Sequence, residues 1–144
     1  MTIRRYRADD TLRLGQIWLE ASSLSHAFFS PDILKVQHQQ VCDLYLPHSE
    51  TWVLETEGKL LGFVGLIDRF VGGLFVSPEV QGSGIGRLLM MHALRMKGKL
   101  ELDVYSLNTG AVAFYNRLEF QETGRRPTDD QGYPFEVIRM KRSA

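Results

Sequence analysis

The chain has 144 residues, 44% apolar and 24% charged, an ordinary globular balance and long enough for one domain with a real core. Its 17 Lys and Arg cancel its 17 Asp and Glu, which argues against a nucleic-acid binder, because such proteins carry a basic excess. No apolar run reaches membrane-spanning length, no signal peptide opens the chain, and the lone Cys42 allows neither an intrachain disulfide nor a cysteine cluster for a metal.

The expectation is therefore a single domain, 1–144, in a reducing cytoplasm, without nucleic-acid, membrane or metal partners. Thr2 to Arg7 reads as a short strand. Asp9 and Asp10 are good N-caps for a helix that carries Leu12, Leu14, Ile17, Trp18 and Ala21 and runs to about Ser22. Residues 22–29 read as a loop ending in Phe28 and Phe29. Pro31 stands in the first turn of a second helix, with Ile33, Val36, Val41, Leu44 and Tyr45, which stops before Pro47. Thr51 to Glu57 and Leu60 to Asp68 form a hairpin about Gly58-Lys59, and Val71 to Val76 is the next strand. A helix from about Gly84 to Lys97 ends at Gly98. Leu100, Leu102 and Val104 alternate with polar residues as a strand. Asn108 and Thr109 cap a helix through Leu118, and Phe120 to Arg126 and Phe135 to Lys141 close the chain. The order β-α-α-β-β-β-α-β-α-β-β describes an α/β sheet of mixed direction with helices on both faces.

The most informative stretch is Val80-Gln81-Gly82-Ser83-Gly84-Ile85-Gly86-Arg87, between the strand Leu74-Phe75-Val76 and the helix that follows. Glycines at 82, 84 and 86 let the backbone gather its N–H groups, and the first-turn amides of a helix have no internal partner and carry partial positive charge. Strand, glycine turn and helix together make an anion site suited to a phosphate or pyrophosphate. The P-loop is excluded because Gly86 is followed by Arg87-Leu88, and the dinucleotide fingerprint because the stretch reads G-x-G-x-G in mid-chain. Downstream stands Leu102-x-Val104-x-x-x-Asn108-x-x-Ala111-x-x-Phe114-Tyr115-x-x-x-x-Phe120. Asn108 lies at a strand-to-helix junction, where its side chain either caps the helix or holds a ligand. Ala111 and Tyr115, four apart, share a helical face.

Gln81, Gly84 and Gly86, followed by Asn108, Ala111, Phe114 and Tyr115, resemble the paired signature of the GCN5-related N-acetyltransferases, the GNAT family. The likeness is close from Val71 to Phe120, and Trp18-x-x-Ala21-Ser22-x-x-x-His26-x-Phe28 is similar to small bacterial members. Glu119 departs from the family, which often has glycine there. The resemblance implies a mostly antiparallel mixed sheet with a splayed strand pair, and acetyl-CoA as co-substrate. It places the pyrophosphate on the amides of Gln81, Gly82, Ser83, Gly84, Ile85, Gly86 and Arg87. The pantetheine arm would lie along Leu74, Phe75 and Val76, with Asn108 and Ala111 beside it. A backbone N–H of that strand would polarise the thioester carbonyl, and Tyr115 would protonate the leaving thiolate.

The implied reaction is transfer of an acetyl group to a primary amine: a small molecule, a peptide N-terminus or a lysine. The base is open among His26, Asp68, Glu79, Asp103 and a water relay, with His26 favoured because its ordinary pKa lies near neutrality. Residues 22–32, 68–72 and 127–135 would form the acceptor side, an aromatic rim of Phe28, Phe29, Phe70, Tyr133 and Phe135 or else a homodimer contact. Asp129 and Asp130 would attract a cation or simply be solvated. The rival reading is a regulatory module that binds acyl-CoA without catalysis, which would not need Tyr115.

Overall fold

Glu57 and Gly58 sit at φ of 52° and 77°. A two-residue hairpin turn needs this left-handed pair, and it joins β2 (Glu50–Thr56) to β3 (Lys59–Ile67). The computed structural model, which describes residues 1–144, extends this hairpin into a seven-stranded sheet. β1 (Thr2–Arg5) pairs antiparallel with β2, and β4 (Phe70–Val76) antiparallel with β3. β5 (Lys99–Tyr105) pairs parallel with β4, β7 (Val137–Ser143) antiparallel with β5, and β6 (Gln121–Arg126) antiparallel with β7. The order is β1-β2-β3-β4-β5-β7-β6. The one parallel contact follows the long crossover through α4 (Ile85–Lys97), as a parallel pair requires.

Adjacent strand residues point to opposite faces, and the sheet uses both. Val53 and Phe63 face a core with Leu14, Ile17, Trp18, Phe29, Leu34 and Leu46 from the first helices. Leu54 and Val64 face a second core with Leu89, Met90, Ala93, Leu102 and Met140. The first is covered by α1 (Thr11–Ser25) and α2 (Pro31–Gln40), the second by α4 and α5 (Thr109–Arg117). Leu12, Val36 and Leu44, counted from sequence into the helical apolar faces, are 77%, 60% and 60% exposed. Leu12 and Leu44 each stand two residues before a buried leucine and Val36 two after one, about 200° round a helix from the face that packs. No helix is long and apolar enough to cross a membrane.

The second helix does not stop before Pro47. It continues through a five-residue π turn (Val41–Tyr45) into α3 (Leu46–His48). Proline lacks an N–H and its ring crowds the carbonyl four residues earlier. Widening the preceding turn, with Leu46 N–H donating to the Val41 carbonyl five residues back, accommodates it. The last strand begins at Val137 rather than Phe135, because Phe135 is drawn into an aromatic cluster with Phe28 and Phe29 at centroid distances of 4.8 and 5.1 Å.

β4 and β5 are paired only at Phe70↔Glu101 and Val71↔Leu102, then diverge. On the other side of β4 the register jumps from Leu66↔Val71 to Gly65↔Gly73. Gly72 is therefore the extra residue of a β-bulge, which bends its strand away from its neighbour. This is the splay that the resemblance implies.

Candidate active site

The glycine turn has the form its sequence suggested. Gly82 and Gly84 lie at φ of 83° and 89°, a region costly for any residue with a Cβ. Gly84 is the N-cap of α4. The amides of Ile85, Gly86 and Arg87 donate to no backbone acceptor, whereas Leu88 N–H already reaches the Gly84 carbonyl. Gly86 packs closely: a Cβ there would stand 3.2 Å from the Phe114 ring. Gln81 ties the loop to the strand, its Nε2 donating to the Val76 carbonyl at 3.2 Å. Ser83 Oγ closes back on the Val80 carbonyl, and the Arg87 side chain is exposed. These free, convergent amides at a helix N-terminus fit a pyrophosphate.

The backbone of β4 sorts itself by alternation. Ser77 N–H donates to the Leu61 carbonyl at 2.8 Å, which makes Ser77–Leu61 a hydrogen-bonded pair. Phe75 and Gly73, two and four residues earlier, then also turn their backbone groups toward β3. Leu74 and Val76 turn theirs toward the gap where β5 is absent. Of the expected strand residues, Leu74 and Val76 offer main-chain groups to the cleft and Phe75 does not. The Phe75 ring packs on the α1–α2 face, 5.5 Å from Phe63 and 6.1 Å from Trp18.

At the splay the α1–α2 face opens into a cavity of about 690 Å³. His26, Phe29, Tyr105, Phe70, Gly72 and Phe75 line it, with Tyr45 and Trp18 from the helices. The expected aromatic rim is largely an aromatic floor. Phe29 is 4% exposed and meets Tyr105, Tyr133 and Phe135 edge-on at 5.5, 5.2 and 5.1 Å. Phe70 stands apart, with the Arg139 guanidinium 5.4 Å over its ring. The 127–135 loop is held by Asp129, which accepts from Tyr105 Oη at 2.7 Å and from the amides of Gln131 and Tyr133. Asp129 is thus a loop anchor, while the Asp130 side chain is 87% exposed.

His26 and Asn108, 82 residues apart in sequence, meet here, with His26 Nε2 3.4 Å from Asn108 Nδ2. Asn108 Oδ1 already accepts from Ala111 N–H at 3.2 Å as the helix cap. The amide can only donate to His26, so Nε2 is the acceptor and the ring proton sits on Nδ1. Burial against Phe28, Phe29 and Tyr105 lowers His26 to about 4. The near-neutral pKa that recommended it from sequence is absent, because nothing nearby stabilises an imidazolium.

The other candidate bases separate cleanly. Burial alone would raise Asp103, but hydrogen bonds from Arg139 and Arg126 outweigh it and hold the carboxyl below its ordinary range. Asp68 is exposed in the β3–β4 turn at φ 54°, and Glu79 is exposed in the turn after Ser77. Neither lines the cavity.

Tyr115 is buried on the opposite face, packed on Phe114 and Phe120 at 5.3 and 5.7 Å. Its hydroxyl is pushed up to about 12 by burial alone, so it is a proton donor at every physiological pH. Its place is fixed by the end of α5. Phe120 N–H donates to the Tyr115 carbonyl and Glu119 N–H to that of Asn116, both at 3.0 Å, the paired bonds of a Schellman cap. Glu119 holds φ 68° there, the left-handed position that explains why glycine suits it.

Sequence reasoning passed over Tyr45, read only as part of a helical pattern. Its hydroxyl donates to the Gly65 carbonyl at 3.1 Å, and its ring lies over Gly65 and Gly72. A Cβ on either glycine would fall 2.3 or 2.4 Å from the phenol oxygen. Gly65 faces Gly73 across β3 and β4 with the bulged Gly72 beside it, and this glycine cluster was the signal available in the sequence.

Comparison with known proteins agrees with this geometry. Residues 47–122 match the profile of the acetyltransferase (GNAT) domain. The peptidyl-lysine N-acetyltransferase YjaB of Salmonella typhimurium is 33% identical over 141 residues, 97% of each chain. The peptidyl-lysine N-acetyltransferase YiaC of Escherichia coli is 34% identical over 119 residues, 82% of each. The solution structure of apo-form YjaB from Escherichia coli, 33% identical, superposes with a TM-score of 0.89 over 97% of this chain and 95% of that one. The structure of yncA from Salmonella typhimurium with its cofactor acetyl-CoA shares the fold at 20% identity, with a TM-score of 0.68 over 99% of this chain and 93% of that one.

Proposed function

The chain belongs to the GNAT family of N-acetyltransferases, and from that premise we propose that its acceptor is the ε-amine of a peptidyl lysine and that Tyr115 is the proton donor. The observation that carries the reading is a coincidence of place: the unpaired Leu74–Val76 edge and the 690 Å³ cavity open on the same splay. Acetyl-CoA supplies an acetyl thioester whose C–S bond is exchanged for a C–N bond to the amine. The amides of Ile85, Gly86 and Arg87 hold the pyrophosphate. Leu74 N–H faces the gap and polarises the carbonyl, an oxyanion-type contribution. Tyr115 keeps its proton until the thiolate leaves.

The acceptor side suits a lysine. The cavity wall carries Asp129 and Asp130 besides an Asp103 paired with Arg126 and Arg139, and its apolar rings accommodate a methylene stem. The YjaB and YiaC relatives carry peptidyl-lysine in their names. Purified protein and acetyl-CoA are incubated with an Nα-blocked lysine peptide and with a lysine-free peptide bearing a free α-amine. Mass spectrometry is expected to find an added acetyl group on the lysine peptide. Acetylation of the α-amine alone overturns the lysine assignment.

With Nε2 accepting from Asn108, His26 has its Nδ1–H left to donate to an ordering water, and the amine's proton leaves through water. With its folded value at about 4, His26 is already neutral throughout pH 6–9 and contributes no acid limb there. His26→Gln is therefore expected to lower kcat/KM without moving the apparent pKa values of the pH profile. An acid limb in the wild-type profile that disappears in His26→Gln assigns the base to His26 after all.

A further inference from the structure

Tyr45 is held in place by four features. The π turn at Val41–Tyr45 adds a residue to the helix just before Pro47, and such turns concentrate at functional positions. Gly65 and Gly72 leave the hollow its ring occupies. Gly72 is the bulge at which β4 leaves β5. The phenol hydrogen is committed to the Gly65 carbonyl at 3.1 Å, so the oxygen's lone pairs are left as acceptors. Tyr45 and His26 both line the cavity, and the free Leu74 N–H lies two strand residues beyond Gly72, about 7 Å along the chain.

We infer that Tyr45 is a substrate-contacting residue for the acceptor: its oxygen accepts a hydrogen bond from the incoming amine and holds the nitrogen beside the β4 bulge. This rests on the amine-acceptor reading above and names the group that orients the nucleophile. A phenol whose own proton is already donated can only accept at this point. It therefore selects a donor nitrogen and disfavours an anionic acceptor. Because the Gly65 bond fixes the oxygen, the contact is preformed.

The test compares Tyr45→Phe with the wild type on the two peptides described above. Phenylalanine retains the ring that fills the hollow and removes only the oxygen. Expected is a loss of kcat/KM for the amine of roughly tenfold, the scale of one hydrogen bond to a charged or developing-charge group. The acetyl-CoA dissociation constant is expected to stay unchanged. Gly72→Ala, whose Cβ would stand 2.4 Å from the oxygen and displace it, is expected to show the same acceptor-specific loss. An unchanged kcat/KM in Tyr45→Phe overturns the inference, as does an equal loss of acetyl-CoA affinity, which would mark a purely structural role. Wild-type transfer to the α-amine alone overturns the lysine assignment and leaves Tyr45 to be judged on that amine. Transfer to neither peptide overturns both.

Discussion

Tyr115→Phe is expected to lower kcat by roughly a hundredfold, or about 2.7 kcal/mol of transition-state stabilisation, the lower end of what a positioned general acid contributes. Acetyl-CoA affinity is expected to hold, because the amides of Ile85, Gly86 and Arg87 are contributed by a different helix. Fold stability is expected to hold as well. The ring packs on Phe114 and Phe120, and burial, with no hydrogen bond, accounts for the upward shift of its hydroxyl. Phenylalanine preserves the packing and abandons no partner. The shift to about 12 also fixes the alkaline side of the profile. A phenol is protonated below its pKa, so loss of the Tyr115 proton cannot limit kcat until well above the ordinary value near 10. Steady-state kinetics with calorimetric titration of acetyl-CoA checks both halves. Unchanged kcat removes Tyr115 as the donor, and lost binding reassigns it to the cofactor site.

The legible parts of the molecule were those set by local rules. The helix start at Gly84, its end at Gly98 and the Asn108 cap are each dictated by a few adjacent residues and formed as read, and the hairpin formed with its turn at Glu57-Gly58, one residue before the Gly58-Lys59 expected. What escaped depended on residues distant in sequence. His26 looked like a base because its ordinary pKa is near neutrality. Its surroundings of Phe28, Phe29 and Tyr105 are assembled only when the end of β5 meets the end of α1. Asp103 looked free, but two arginines from β6 and β7 close on it. Tyr45 was invisible because its meaning lies in two glycines 20 and 27 residues away and in a π turn imposed by Pro47. Pro47 itself was misread as a stop, since a proline in a helix can be absorbed by a wider turn as well as by termination.

Asp10→Ala is expected to destabilise the fold by about 3 kcal/mol, at the low end for breaking a buried ion pair. Asp10 read from sequence as a helix cap, yet its side chain turns back to the first strand. Both carboxylate oxygens accept from the Arg4 guanidinium at 2.9 and 3.0 Å, and one also accepts from Arg7 N–H at 2.8 Å. The two side chains are 7% and 14% exposed. Removing the carboxylate leaves Arg4 desolvated with Glu55 as its only acidic partner, at 2.9 Å, and that remaining bond is why the loss stays at the low end. The charge state follows the same logic. Burial alone would raise Asp10, but Arg4 and the Arg7 amide outweigh it and hold the carboxyl below its ordinary range. A carboxylate depressed in the folded state contributes its full stability above the unfolded pKa near 3.9, and loses it as pH falls through the lower folded value. Urea unfolding at neutral pH is therefore expected to show the whole deficit of the variant, and the gap to wild type is expected to narrow below about pH 4. A deficit under about 1 kcal/mol at neutral pH would reduce the Arg4–Asp10 contact to an ordinary surface pair.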